Sequence, residues 1–588
     1  MTEWFHPAVI FILGAFLVPF VRGKAQQAYI LLLPALAIFA VYRMTAGDYW
    51  TYSFMGNQLV FGHVDKLSVV FAWVFTIAAF IGMVYALHIK DSGQHVAAFL
   101  YIGGSLGVTF AGDYFTLFVF WELMAFASAF LVFASRNQQA LAAGFRYLLV
   151  HIFGGVCLLG GIILHVIATG SIAVGILPKD GSLAFYLIMV GFILNAAVPP
   201  LHAWLTDAYP EGTVTGAVFM SAFTTKTAVY VLVRVFPGTE VLVWLGTIMA
   251  LYGVVYAVLE NDCRRLLAYH IISQVGYMVA GVGIGTELSL NGSVSHAFAH
   301  ILYKGLLFMG AGAVIQMTGR RKLTELGGLY KTMPITLCLY MIGGFAISAF
   351  PLFSGFVTKS MVVSGAAADH RPAVALLLTM ASSGTFLHTG LKLPYYMFFG
   401  KDSGLRAKEP PLNMLIGMGL AAFLCIGIGV MPGPLYHLLP FNAPYHPYTG
   451  DHVTSALGIL LFTGLGFFML LKKLDPEPTI SVDTDWFYRK GAKVFMWVAN
   501  KPLAAYEEYL TNIYNRWFSA GFLKLADFFS RIFDRYVVDG LVNGVASFFM
   551  GLSGNLRRAQ TGLVRSYALV MLVGSMALIA FYLIAYQM

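Results

Sequence analysis

The stretch Gly212–Val233, GTVTGAVFMSAFTTKTAVYVLV, carries one charged side chain, Lys226. A helix needs about 20 apolar residues to span a bilayer, and this stretch is long enough. The ammonium would then lie near the membrane centre, where a charge costs roughly 2.5–3.5 kcal/mol on insertion scales. A lysine kept at that cost points to function.

The rest of the chain agrees with a membrane setting. Of its 588 residues, 59% are hydrophobic and only 11% are charged. Soluble domains carry about 25% charge. Long apolar runs recur from end to end, without the alternation of a β-barrel. The expected fold class is an all-α polytopic membrane protein. The start, MTEWFHPAVI, has an acidic residue and no basic cluster, so no cleavable signal peptide is expected. Four scattered cysteines predict neither a disulfide framework nor a metal site. The net charge of +9 reads as basic loops on one membrane side, not as nucleic-acid binding.

About sixteen spans follow from the apolar runs. They lie near 7–21, 27–46, 67–89, 95–112, 114–134, 140–170, 183–206, 213–236, 239–260, 266–285, 292–318, 333–366, 373–400, 411–432, 452–473 and 561–587. Two of them carry prolines inside: Pro199-Pro200 in the seventh and Pro351 in the twelfth. Proline removes a backbone donor and breaks a helix. Such breaks persist in membranes where they line a buried or wet cavity. Loops after odd-numbered spans hold most of the lysine and arginine, including Arg264, Arg265, Arg320, Arg321 and Lys322. Those loops are expected in the cytoplasm, with both termini outside.

From LDPEPTISVDTDW onward the composition changes. Apolar positions at Ile513, Trp517, Leu525, Phe528, Phe529, Ile532, Phe533 and Tyr536 follow helical spacing, with charges between them. This predicts amphipathic helix lying on the cytoplasmic surface, interrupted at Pro502. One helix over 504–540 would reach about 55 Å.

Further buried charges accompany Lys226. Glu122 is the one charge between Asp113 and Arg136. A Glu122–Lys226 pair between neighbouring helices would restore each group's charge and could open and close as a relay. HAFAHILYKGLLF aligns His296, His300 and Lys304 on one helix face. No HExxH glutamate completes a metal site there, so a proton path is the better reading. Lys359 follows the Pro351 break, and Lys392 lies nearer a helix end, where it can snorkel. His151 and His165 stand fourteen residues apart on one helix, but no second histidine pair repeats the spacing, so no haem is expected. Neither a phosphate loop nor a dinucleotide fingerprint is present. No cofactor is expected, and the chain is not expected to be an enzyme by itself.

Five strings occur in order: FVFWELMAFASAFLVF, PPLHAWLTDAYPEGTVTGAVFMSAFTTKTAVYVLVRVF, NDCRRLLAYHIISQVGYM, HAFAHILYKGLLFMGAG and ISAFPLFSGFVTKS. Together they resemble the antiporter-like proton-pumping subunits of respiratory complex I. They are still more similar to the D-type subunit of Mrp-type multisubunit cation/proton antiporters. The tail, YVVDGLVNGV then QTGLVRSYALVML, resembles the end of the largest antiporter-like subunit of complex I, with its lateral helix and last membrane helix. The resemblance implies N-terminal helices over 1–94, a core of two inverted five-helix repeats over 95–400 and C-terminal core helices over 401–474. A lateral segment over 475–558 and a final span over 559–588 would follow.

It also implies roles. Glu122 matches the family's essential membrane glutamate, and Lys226 its central lysine. His300 and Lys304 match the linking polar axis, and Lys359 the lysine on the second broken helix. One position departs: Asn195, just before Pro199-Pro200, stands where the family usually carries a lysine. Asparagine cannot titrate. Either Lys226 takes over as partner of Glu122, or the first half-channel works differently or has lost proton coupling. Thr206 in WLTD replaces a commoner proline.

The expectation is therefore a subunit of the inner (cytoplasmic) membrane that moves H⁺, in exchange for Na⁺ or K⁺ or within a redox pump. Other membrane subunits and lipid would be its partners. The alternatives are a membrane subunit of an inorganic-carbon uptake system, a haem or quinone redox subunit, and a scaffold with a dead channel.

Overall fold

The computed structural model describes residues 5–477, 482–557 and 562–586. Part of the polar linker (478–481) and the ends of the last expected span (561 and 587) lie outside them. The chain forms two compact units, Met1–Asp485 and Trp486–Met588.

The first unit begins with α1 (Pro7–Leu17), α2 (Gly23–Tyr42), an antiparallel hairpin of β1 (Gly47–Phe54) and β2 (Asn57–Val64), α3 (Lys66–Tyr85) and α4 (Ser92–Phe110). The hairpin was not expected. Its turn is Met55-Gly56, both at positive φ (48° and 78°), the two-residue geometry that matches strand twist.

The core follows as α5 (Tyr114–Phe133), α6 (Gln138–Thr169), α7 (Leu183–Asn195), α8 (Ala203–Ala208), α9 (Val214–Ala222) and α10 (Thr224–Val235). It continues as α11 (Glu240–Leu259), α12 (Cys263–Ile284), α13 (Glu287–Thr318), α14 (Pro334–Ile347), α15 (Ser354–Ala368) and α16 (Pro372–Thr385). α16 runs on through π-helical turns at Phe386–Lys392 and Tyr395–Phe399. α17 (Leu412–Val430), α18 (Gly433–Leu438) and α19 (Gly450–Met469) close the unit. Among the described residues, thirteen helices are long and apolar enough to cross a membrane, with three shorter apolar ones beside them. The chain is a multi-pass membrane protein.

α12 and α13 lie at the centre of the unit. α12 is buried along its whole apolar length, whereas α6 and α17 leave more than half of theirs exposed. A helix that is apolar all round belongs inside a bundle. Glycines bring α11 against α12. A Cβ at Gly246 would stand 2.3 Å from Ala280 N, at Gly253 2.5 Å from Ser273 N, at Gly276 2.5 Å from Ala250 N and at Gly283 2.3 Å from Val243 N. Only missing side chains allow backbones this close.

Both expected helix breaks are present, and they share one geometry. After α7, Val198 N donates to Ile193 O (3.1 Å) and Ala197 N to Leu194 O (3.0 Å). After α14, Phe350 N donates to Phe345 O (3.1 Å) and Ala349 N to Ala346 O (3.2 Å). Each is a Schellman ending, with Ala197 (φ 59°) and Ala349 (φ 57°) in the left-handed position that glycine usually fills. An alanine there costs roughly 1–2 kcal/mol. α6 and α13, the helices two before each broken pair's second half, are both 32 residues long.

A third break, not expected, divides the span over 213–236. α9 ends at Ala222 and α10 restarts at Thr224, with no proline or glycine between. The Tyr101 hydroxyl accepts from Thr224 N (2.8 Å) and pairs with Thr224 Oγ1 (2.6 Å), taking over the first free donor of α10.

A continuous helix over Asp485–Arg557, 73 residues, starts at the last residue of the first unit and makes up most of the second, followed by Val564–Ala585. Pro502 does not interrupt it: a π-helical turn over Ala499–Leu503 absorbs the missing donor. At about 1.5 Å per residue the helix is about 110 Å long, twice the reach expected. The compact boundary falls after Asp485 and not near 474, because the end of the linker is tied into the first unit. Asp483 is 3% exposed and accepts from His202 Nε2 (3.1 Å), Tyr269 OH (2.6 Å) and the Tyr252 hydroxyl.

Candidate functional site

Lys226 stands on the first turn of α10, fully buried. Its Nζ donates to Ser221 O (2.5 Å) and Thr225 Oγ1 (3.0 Å). Ser221 is the penultimate residue of α9, so the ammonium caps a carbonyl freed by the third break.

Glu122 is not its partner here. No ion pair joins the two side chains among the described residues. Glu122 on α5 is half-buried and turned to α6, where a Cβ on Gly155 would lie 2.0 Å from its Oε1. That oxygen has no hydrogen-bond partner. Asn195, fully buried at the end of α7, leaves both Oδ1 and Nδ2 without one. Beyond the break, Trp204 on α8 donates from Nε1 to Leu194 O (3.0 Å) and ties the two halves together. His151 stacks on Tyr147 (3.9 Å) and meets Trp204 edge-on (4.5 Å).

α13 presents His296, His300 and Lys304, all fully buried. The two imidazoles are 6.2 Å apart. Neither ring nitrogen of His300 nor Nζ of Lys304 has a hydrogen-bond partner. Lys226 lies within electrostatic reach of all three. Tyr303 OH stands 3.4 Å from both His296 Nε2 and Gln274 Oε1, bridging α13 to α12.

Lys359 on α15 repeats the device of Lys226. Its Nζ donates to Ile347 O (2.8 Å), the last residue of α14, and to Ser382 Oγ on α16 (3.1 Å), and sits 5.4 Å over the Tyr277 ring. It is within electrostatic reach of His296 and His300. A cavity of about 210 Å³ opens beside it. Its wall includes the hydroxyls of Ser348, Ser360 and Ser382, and it reaches His452 at the start of α19. His452 stacks on Phe356 (4.4 Å), and its Nδ1 pairs with Pro447 O (2.6 Å).

Lys392 does not snorkel. It is 2% exposed, and its Nζ donates to Val258 O (2.5 Å) at the end of α11. It lies in the π-helical turn of Phe386–Lys392, a rare geometry that concentrates at functional positions. Two residues beside it were not among the expected site residues. His388 lies one turn before Lys392, and His270 on α12 faces it at 6.3 Å between ring centroids. Their spacing held a weak signal: His388 and Lys392 are four apart, as are His270 and Gln274.

The family described as "NADH:quinone oxidoreductase/Mrp antiporter, TM" matches residues 111–385, the stretch that holds Glu122, Lys226, the α13 triad and Lys359. A relative, Na(+)/H(+) antiporter subunit A1 of Staphylococcus haemolyticus, is 28% identical over 522 residues. The match covers 77% of this chain and 63% of that protein, so the chain spans less than two thirds of the relative's length. Two solved structures share the fold. One is a chain of the membrane-bound sulfane sulfur reductase, an archaeal respiratory membrane complex, at 23% identity and a TM-score of 0.69, covering 93% of this chain and 99% of that one. The other is a chain of the Mrp complex from Dietzia sp., at 22% identity and a TM-score of 0.67, covering 77% and 98%. Residues 111–385 match that family's model and hold both breaks and the buried charges, so this chain is similar to the antiporter-like membrane subunits of NADH:quinone oxidoreductases and Mrp antiporters.

Proposed function

We propose that the chain is a proton-translocating subunit of a multisubunit membrane assembly. That assembly either exchanges a monovalent cation for protons or couples proton movement to a redox reaction. The observation that carries this reading is the run Lys226, His300, Lys304, His296 and Lys359, fully or almost fully buried and spread over three helices. Several cations this close in a dry interior cannot all be charged at once. A proton arriving at one group makes charge on its neighbour costlier, which pushes a proton onward. That is the behaviour a relay needs.

Lys359 is the outlet in this reading, because the cavity beside it is roomy enough for water and, though largely apolar, carries Ser348, Ser360, Ser364, Thr379 and Ser382 in its wall. His452, which also lines that cavity, begins a span whose N-terminal side is expected outside by loop charge. Glu122 remains a proposed proton carrier. It would reach Lys226 only after turning away from Gly155. Asn195, Pro199, Pro200 and Pro351 shape the breaks around the path and carry no proton.

The second unit supports a place in a larger assembly. Both of its helices are exposed along their whole apolar length. Other membrane subunits and lipid would cover them. The proposed setting is the cytoplasmic membrane, with the long helix on its cytoplasmic face, an orientation that the basic loops support.

Lys226→Ala tests the reading in membrane vesicles carrying the chain with its companion subunits. Proton-coupled transport should vanish while the subunits still co-purify. Transport at the wild-type rate in an assembled variant would remove the role.

A further inference from the structure

A second line of buried titratable groups leaves the axis on its α12 side. His270 is fully buried, and neither of its ring nitrogens has a hydrogen-bond partner. His388, 1% exposed, leaves Nδ1 without one. A buried polar group left unpaired is destabilising, so these imidazoles are poor choices for packing alone. His270 is within electrostatic reach of Lys304, Lys359 and His388. His388 stands 6.3 Å from His270 between ring centroids and one helical turn before Lys392, whose Nζ holds Val258 O, two residues before Glu260.

Glu260 ends the line at a surface bowl. It follows the last residue of α11 and is 5% exposed. Its Oε1 accepts from Asn261 N (3.0 Å) and Asp262 N (3.2 Å). Its Oε2 faces Arg265 Nε at 3.3 Å. Burial pushes its carboxyl above the ordinary value, while Arg265 opposes the shift. It lines a cavity of about 280 Å³ together with Asp207, Glu211, Asp262, Arg265 and Arg321. This bowl belongs to the loops whose basic charge marks the cytoplasmic side.

We propose that Glu260, Lys392, His388 and His270 form a second branch of the proton path, linking the bowl to the Lys304–Lys359 axis. The branch rests on the proton-translocating reading and deepens it. Each step moves one proton from an acid to the neighbouring base: Glu260 to Lys392, Lys392 to His388, His388 to His270, His270 to Lys304. The vacated Glu260 carboxylate takes its next proton from the bowl. With the Lys359 cavity at the other end, α11–α16 hold a path open toward both sides. That path uses neither Asn195 nor Glu122, and Lys226 acts on it through its charge beside Lys304.

The test is proton flux in membrane vesicles carrying the full chain with its companion subunits, measured against pH on the side of the Arg320–Lys322 loop. The variants are Glu260→Gln, His388→Gln, His270→Gln and the Glu260→Gln/His388→Gln double, with Lys304→Ala for comparison. Each single variant should slow flux at least about tenfold, as loss of one proton-transfer group does. The double should be no slower than the slower single, and the dependence on loop-side pH should flatten. A merely structural role would not flatten that profile. If the single variants carry protons at the wild-type rate while Lys304→Ala is dead, the branch falls and the axis stands. If Lys304→Ala also conducts normally, the axis falls and the branch with it. Should His270→Gln fail to assemble, Glu260→Gln and His388→Gln decide the matter, since their side chains lie at the bowl and in the π-helical turn.

Discussion

The Nζ of Lys359 lies 2.8 Å from the carbonyl oxygen of Ile347, across the break that separates their helices. A cation at the C-terminal end of a half-helix meets the negative end of its dipole. The lysine caps a helix it does not belong to, and in the proposed cycle it would carry the proton as well. Deprotonation leaves it able to donate, but weakens the hold on that end.

Lys359→Met separates these roles. It removes the carrier, and it leaves Ile347 O and Ser382 Oγ without this donor. The expected cost is about 1–3 kcal/mol, with complete loss of proton-coupled transport. Thermal unfolding of the purified protein and flux in vesicles check the two halves. Lys359→Arg should recover the stability and not the transport, since arginine keeps its proton.

Gly155→Ala should act in the opposite sense. The new methyl would stand 2.0 Å from Glu122 Oε1, and that flexible carboxylate can turn away. Replacing a mid-helix glycine by alanine is itself worth roughly 0.5–1 kcal/mol. Stability should hold or rise while transport changes, because Glu122 is displaced. A flux identical to wild type would show that the position of Glu122 does not matter to the cycle.

The linker anchor makes a pH prediction. Burial raises the Asp483 carboxyl, but hydrogen bonds from His202, Tyr252 and Tyr269 outweigh it and hold the group far below the ordinary carboxylate range. A depressed folded pKa stabilises above the unfolded value, about 3.9, and that stabilisation is lost as pH falls below it. The chain around Asp483, residues 482–485, should therefore resist protease at every pH above about 4. Asp483→Asn should open it at all of them. Cleavage followed by mass spectrometry reads this out, and equal protection in the variant would contradict it.

What the sequence made legible was whatever is written locally. Pro199-Pro200 and Pro351 announced two breaks, since a missing donor disrupts a helix wherever it lies. The i, i+4, i+8 spacing put His296, His300 and Lys304 on one face. The break at Phe223 was invisible because its cause is remote: the Tyr101 hydroxyl more than a hundred residues away. The same holds for His270 and His388, each an ordinary core histidine on its own helix until the fold sets them 6.3 Å apart. Glu122 misled for the opposite reason. A lone carboxylate and a lone lysine suggested a pair, yet a notch at Gly155 and a free carbonyl at Ser221 gave each a nearer place. Pro502 misled because a π-helical turn can absorb a proline without ending the helix. The hairpin was written locally in Met55-Gly56 and passed over.

The four glycines between α11 and α12 bear on what can move. Where two backbones touch without side chains between them, neither can slide or roll without collision. α12 carries His270, Gln274 and Tyr277, which makes this seam the stator of the device. Any rearrangement during turnover has to be taken up opposite it, by α13, α15 and α16. There His300 and Lys304 hold buried nitrogens without hydrogen bonds, and Lys359 borders the cavity of about 210 Å³.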